Sequence, residues 1–258
     1  MQITTEQIKE LRDATGVSVM QCKKALEEAQ GNMDKAMLVL KKKSADIATK
    51  KSDRSAKDGL VIIKTKGNKA VLAVLNCETD FVSKNADFVQ LSNQIADLAL
   101  DLGAEAAKAK APEMISPVVQ KIGENIQLNK ILSIEGAVLG SYTHNGKAGV
   151  VVSLAGGSTE LAKDIAMHIA AMKPEYAKKE DIDKAMVESV KDLFKKEVDE
   201  SNKPEDIKQK MMQGKIDAYF KERTLLEQPF IKNPDQTVGK LLETNKATLN
   251  SYIYSTLA

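Results

Sequence analysis

A chain of 258 residues with 43% hydrophobic and 29% charged residues has the composition of a soluble globular protein of one or two domains. Its formal net charge of +2 excludes the overall basic field that holds a protein nonspecifically on nucleic acid. Its two cysteines, Cys22 and Cys77, form no Cys-x-x-Cys pair and no Cys/His cluster, which argues against a structural zinc and suits free thiols in a reducing cytosol.

The N-terminal stretch MQITTEQIKELRD contains no apolar run of the secretory type. Residues 1 to about 43 read as three short helices. Thr4 with Gln7 and Ser18 with Gln21 form capping-box patterns, and Thr15-Gly16 and Gly31-Asn32 separate the helices. On the second helix Val19, Cys22, Ala25, Leu26 and Ala29 share one arc, whereas Met20 falls opposite, among Gln21, Lys23, Lys24, Glu27 and Glu28. A thioether on a polar face fits contact with a partner and packing under a neighbouring loop equally well. From Lys41 to Lys57 seven basic residues sit among small and polar ones. Interspersed Asp46 and Asp53, with Asp58 beyond, and the lack of an aromatic favour a solvated linker or exposed helix over a phosphate-binding patch.

An internal repeat follows. Residues 59–75 and 136–154 each read as strand, glycine-containing turn, strand, with Asn145-Gly146 a strong hairpin signal and Gly67-Asn68 a weaker one. An amphipathic helix follows each hairpin. Phe88, Leu91, Ile95, Leu98 and Leu102 mark the first; Leu161, Ile165, His168 and Met172 mark the second, which Pro174 stops. Two copies of this unit predict two similar α+β subdomains. Between them, Pro112 and Pro117 interrupt a helical pattern, and residues 129–134 return to strand.

Between the first hairpin and its helix lies Thr79-Asp80-Phe81-Val82-Ser83-Lys84-Asn85, a strand-to-helix corner of the kind that carries function. If the helix began early, Phe81 would stand one heptad before Phe88 and point inward, with Asp80 a capping carboxylate. The pattern alone favours that buried reading.

Residues 178–223 read as an antiparallel helical hairpin. Ile182, Met186, Val190, Leu193 and Phe194 form one narrow stripe. Pro204 opens the second helix, and Ile207, Met211, Ala218 and Tyr219 form the other stripe. The chain closes with Gln228-Pro229-Phe230, a helix near Val238–Leu242 and a strand-like Ser251–Tyr254. The expected domains are 1–54, 55–135, 136–177 with 224–258, and 178–223.

Enzyme chemistry finds little support. The chain has no phosphate-binding Gly-x-x-x-x-Gly-Lys-Ser/Thr loop, and residues 155–159 read as a plain turn. His168 falls on an apolar face as a core histidine, and His144 sits in an exposed hairpin turn. No Ser-His-Asp constellation suggests itself, so no catalytic residue, metal site or cofactor is expected. No run approaches the roughly 18 apolar residues of a membrane span.

Leu11-Arg12-Asp-Ala-Thr15-Gly16-Val-Ser-Val-Met20-Gln-Cys22-Lys23-Lys24-Ala25-Leu26 and Asn76-Cys77-Glu-Thr79-Asp80-Phe81-Val82 resemble the opening module and the central motif of the elongation factor Ts family. Lys121-Ile-Gly-Glu-Asn-Ile126, Gly140-Ser-Tyr142, Met167–Ala170 with Lys173-Pro174, and Gln228-Pro-Phe230 with Thr237-Val238 are similar too, in order along nearly the whole chain. The resemblance implies a ubiquitin-associated-like N-terminal module and a cytoplasmic nucleotide exchange factor for the GTPase elongation factor Tu, with no membrane or specific nucleic-acid partner. It implies that Thr79, Asp80, Phe81 and Val82 enter the partner near its magnesium site, Phe81 as an apolar wedge and Asp80 fixing the corner. Arg12, Val19, Met20 and Lys23 would hold another face of the GTPase domain, and His144 would touch it from the second subdomain. The helical hairpin would be a self-association module, giving a dimer or a two-plus-two complex. Val19 stands where a second Met is frequent, which implies a smaller contact. Many members continue beyond residue 258 with another strand and a helix.

Overall fold

The structure is a computed structural model that describes residues 3–201 and 203–257. It mixes helices with small antiparallel sheets and is of the α+β type. Its contacts divide it into two units: residues up to 133 with 143–149 and 255 onward, and residues 134–142 with 150–254.

The first unit opens with α1 (Thr5–Thr15), α2 (Val19–Glu28) and α3 (Met33–Lys51). Local chemistry sets their ends. Thr4 and Gln7 form a reciprocal capping box, and Gly16 ends α1 in the left-handed region. Ser18 and Asn32 cap α2 and α3 through their side chains. Leu11, Val17, Cys22, Ala25, Leu26, Ala29, Ala36 and Leu40 form the core of the three helices. Val19 is not part of it and is half exposed. Val17, just before the cap, fills that place, and the Cys22 thiol donates to its carbonyl at 3.6 Å.

The basic stretch is largely helix rather than linker, because α3 runs on to Lys51. Ser44 is buried, and Ile47 and Ala48 pack against the neighbouring core. Lys41 pairs with Glu113, Lys43 with Glu28, and Lys51 donates to the Gly123 carbonyl.

Strands β1 (Asp58–Lys66) and β2 (Lys69–Cys77) form a hairpin through Gly67-Asn68, and β3 (Gln127–Glu135) pairs on the other side of β2. Val71, Ala73, Leu75 and Cys77 of β2 face a core shared with Phe88, Leu91 and Ile95 of α5 (Ala86–Leu102) and Ala111, Ile115 and Val119 of α6 (Ala104–Ile122). Leu102, expected on this apolar face, is exposed at the last turn of α5. Helix α6 is continuous, with Pro112 and Pro117 inside it. Each proline removes a ladder donor and disfavours a helix by about 3 kcal/mol. Here the burial of Ala107, Ala111, Ile115 and Val119 against α5 and α3 offsets that cost.

In the second unit β4 (Val138–His144), β5 (Ala148–Ala155) and β8 (Thr248–Thr256) form a sheet in that order. Val150, Val152 and Leu154 pack with Leu161, Ala162, Ile165, Ala166 and Ile169 of α7 (Thr159–Met172) and with Phe230, Val238 and Leu242. Met172, at the end of the predicted stripe, is exposed. Gly140 lets β4 approach α7 closely, since a Cβ there would stand 2.2 Å from the Lys163 nitrogen. A two-residue ladder, β6 (Pro229–Phe230) with β7 (Asn233–Thr237), precedes α10 (Val238–Thr244).

Helices α8 (Lys184–Asp199) and α9 (Glu205–Arg223) pack as the predicted hairpin. The phase of the second stripe differs from the expectation. Ile216 and Phe220 are buried and Ala218 is exposed, because Phe220 and Tyr219 are drawn into edge-to-face contact with Tyr176 and Phe194. Leu193 is exposed, and Ile182 lies in the short turn before α8.

His168 is a core histidine. Its Nε2 bonds Gln228 Oε1 at 2.9 Å, and its Nδ1 accepts from the Ile231 N–H at 3.3 Å. Burial pushes its pKa down, against the pull of Gln228. The unfolded chain therefore takes up a proton near pH 6.5 that the folded chain refuses, and stability falls as pH drops below that value. The denaturant midpoint should decrease from pH 7 to pH 5, and this decrease should shrink in His168→Leu; an equal slope in both proteins would refute the assignment. Gly140→Ala should cost about 1–3 kcal/mol in the same measurement, because the added carbon meets helix backbone that cannot move aside cheaply.

Candidate functional site

The corner between β2 and α5 is built from local capping and one distant carboxylate. Residues Asp80–Ser83 form a single helical turn, α4 by position in the chain. Thr79 caps it: its hydroxyl oxygen accepts from the Val82 N–H at 3.4 Å. Asp80 is not the cap; it pairs with Lys84 one turn on, at 2.8 Å. The turn ends at once, because Asn85 starts α5 by accepting from the Asp87 N–H at 2.9 Å.

That second start decides where Phe81 points. The break between the turn and α5 destroys the heptad phase that would align Phe81 with Phe88. Val82 turns inward and is buried, and Phe81 is 82% exposed. The buried reading of Phe81 is thus corrected. A bare phenyl ring on a tightly held turn is the kind of apolar group whose burial would have to come from another molecule.

Glu124 holds the turn in place. Its Oε1 accepts from the Thr79 hydroxyl at 2.7 Å, and its Oε2 accepts from the Thr79 and Glu78 N–H groups at 3.0 and 3.1 Å. Glu78 answers from its own side, accepting from the Asn125 N–H at 2.7 Å. Beneath it the Cys77 thiol donates to the Thr79 carbonyl at 3.1 Å. Burial, helped by the charges of Asp58 and Glu124, pushes that thiol up to about 12, so it stays a protonated donor and is no nucleophile at neutral pH. Sequence reasoning assigned no role to Glu124, which lies 45 residues from Thr79. Its one signal in the sequence is its place in Lys121–Ile126.

The remaining candidates occupy two further surface patches. Arg12, Met20 and Lys23 are exposed on α1 and α2, with Met20 at 61%. Lys23 is close to Glu27, and half-exposed Val19 adds to the apolar part of the patch. His144 is exposed at the end of β4, next to the turn in which Asn145 and Gly146 both take positive φ. This tip is seated on β1: the Val61 N–H donates to the Gly146 carbonyl at 2.8 Å, and Lys147 pairs with Asp58. Burial would raise the Asp58 pKa, but the Lys147 and Gly59 hydrogen bonds outweigh it and lower the carboxyl below its usual range.

Among the described residues no group of three or more His, Cys, Asp or Glu side chains could hold a metal ion, and no helix is long and apolar enough to cross a membrane. What the arrangement offers is an exposed apolar ring on a single turn whose entry is tied to Glu124.

Residues 78–258 match the family described as Elongation factor TS. Curated relatives extend the likeness through the three-helix module. The chain is 41% identical to an elongation factor Ts of Marinobacter nauticus over 97% of this chain and 89% of that protein. It is 41% identical to that of Psychromonas ingrahamii over the same shares, and 39% identical to that of Escherichia coli over 98% and 90%. With a solvent-facing aromatic corner inside the matched region and this identity along nearly its full length, the chain belongs to the elongation factor Ts family of translation elongation factors.

Proposed function

We propose that the protein promotes GDP release from the GTPase elongation factor Tu by inserting Phe81 beside the partner's magnesium site. The observation that carries this reading is the exposure of Phe81 on a turn whose entry, residues 78 and 79, is tied to Glu124 by three hydrogen bonds. Thr79 and Asp80 shape the turn, Val82 anchors it, and Phe81 projects. Arg12, Val19, Met20 and Lys23 supply a second contact, and His144 a third.

No acid or base is needed for such an activity. A protein that binds the nucleotide-free partner more tightly than the GDP form must, by linkage, lower nucleotide affinity by the same factor. A rigid aromatic suits this, because little conformational freedom remains to be lost when it enters a pocket. Displacing the elements around the metal weakens phosphate coordination, and GDP leaves.

On this reading α1–α3 are the ubiquitin-associated-like module, and the two sheets with their helices are duplicated subdomains of a cytoplasmic protein. The α8–α9 hairpin, whose Met186, Leu193 and Ile207 are exposed, serves self-association and gives a dimer or a two-plus-two complex.

Phe81→Ala should leave the thermal unfolding midpoint nearly unchanged, since the ring is solvated. In a labelled-GDP release assay with purified elongation factor Tu it should lower stimulation by about thirtyfold or more, the equivalent of about 2 kcal/mol for a buried anchor. Full stimulation by the folded variant would defeat the role given to the ring. Met20→Ala should raise the concentration needed for half-maximal stimulation while sparing the saturating rate; a loss of that rate alone would place Met20 in the release step instead.

A further inference from the structure

The corner must resist a force. A ring that pushes into another protein is pushed back, and a single helical turn has few bonds of its own with which to hold position. Asp80–Ser83 is too short to be stable alone, because helix nucleation is unfavourable. The bonds that hold it come largely from one place, the turn after α6. Glu124 takes three donors from residues 78 and 79, and Asn125 donates to Glu78.

The same turn also grips the end of α3. Asn125 Nδ2 donates to the carbonyls of Arg54 and Ser52 at 2.6 and 3.3 Å, and Gln127 Nε2 donates to Ser52 at 2.8 Å. Lys51 reaches the Gly123 carbonyl. Five consecutive positions, 123–127, thus include four whose side chains or carbonyls tie α3 or the corner to this turn. Helix α3 shares a core with α2, which carries Met20. Two of the proposed partner contacts, the corner and the Met20 patch, are held to a common bracket.

Resting on the exchange reading above, we infer that Glu124 is a positioning residue for Phe81: its carboxylate stiffens the Glu78–Thr79 backbone so that the ring transmits force into the partner instead of folding back. Glu124 acts through Phe81, by accepting from the Glu78 and Thr79 N–H groups and the Thr79 hydroxyl. Its worth is that of charge-assisted hydrogen bonds, each about twice as strong as a neutral one. Removing it leaves the Glu78 and Thr79 N–H groups and the Thr79 hydroxyl without their acceptor.

The test is a pair of backgrounds in the GDP-release assay at saturating protein. Glu124→Ala should lower the maximal rate about tenfold when Phe81 is present and less than about twofold when Phe81 is already Ala, since a positioner has nothing left to position. Amide hydrogen exchange at Glu78 and Thr79 should accelerate in Glu124→Ala while amides of the α1–α3 core keep their protection. Glu124→Gln retains a carbonyl oxygen for the two N–H groups and an amide that can donate to the Thr79 oxygen, so it should recover most of the rate. Equal losses in both Phe81 backgrounds, or unchanged exchange at residues 78 and 79, would overturn the assignment. If Glu124→Ala does not fold, Thr79→Val, which removes the hydroxyl that donates to Glu124, carries the same comparison in the two Phe81 backgrounds, and a wild-type rate for Thr79→Val with normal exchange protection would overturn it too. A full rate for Phe81→Ala alone would instead sink the wedge reading on which this one rests.

Discussion

One carboxylate with three donors converging on it governs the most distinctive surface of this protein. Glu124 binds the Thr79 hydroxyl and two successive backbone N–H groups, and so fixes the end of β2 at the point where the chain turns outward. Hydrogen bonds to a charged acceptor are short and strong, and here they replace the ladder partners that the strand loses as it ends. The turn that follows can then be very short. Four residues suffice because the geometry is imposed from below rather than built up by the helix itself.

Exposure of Phe81 follows from that brevity. A longer helix would have carried the 3.6-residue phase through to Phe88 and folded the ring inward. The stop at Lys84 and the fresh cap at Asn85 reset the phase, and Val82 takes the inward position. The protein thus keeps a large apolar ring in water, an arrangement that costs hydration free energy in isolation and is recovered only on contact with another molecule. That arrangement fits a factor acting on a partner better than one transforming a bound substrate. The neighbouring Cys77, the residue most open to a chemical reading, is a protonated structural donor with its pKa pushed up.

The three-helix module and the β4–β5 tip are secured by different means. The module has its own apolar core, and its long third helix lies along α6. The tip rests on β1 through one backbone bond and the Lys147–Asp58 pair. Each presents side chains, Met20 and His144, from a backbone whose conformation is set by a cap or a turn a few residues away.

Much was legible from the chain because it depends on neighbours in sequence. Capping by Thr4 and Ser18, the Asn145-Gly146 turn and the inward face of α7 are interactions within a few residues, and residue type is enough to predict them. Where tertiary contacts compete, the local signal misled. Pro112 and Pro117 sit in an unbroken helix because burial on both flanks outweighs their local cost. For the basic stretch, which by pattern fits a linker or an exposed helix, the burial of Ser44 and the packing of Ile47 and Ala48 select helix. Aromatic contacts set the phase of α9, so Ile216 and Phe220 displace Ala218 from the core. By itself the sequence determined the kinds of elements, their order and the presence of an aromatic corner. Only the tertiary structure decided how that corner is held, since Thr79 bonds a carboxylate 45 residues away, and no local rule encodes a bond whose partners meet only after folding.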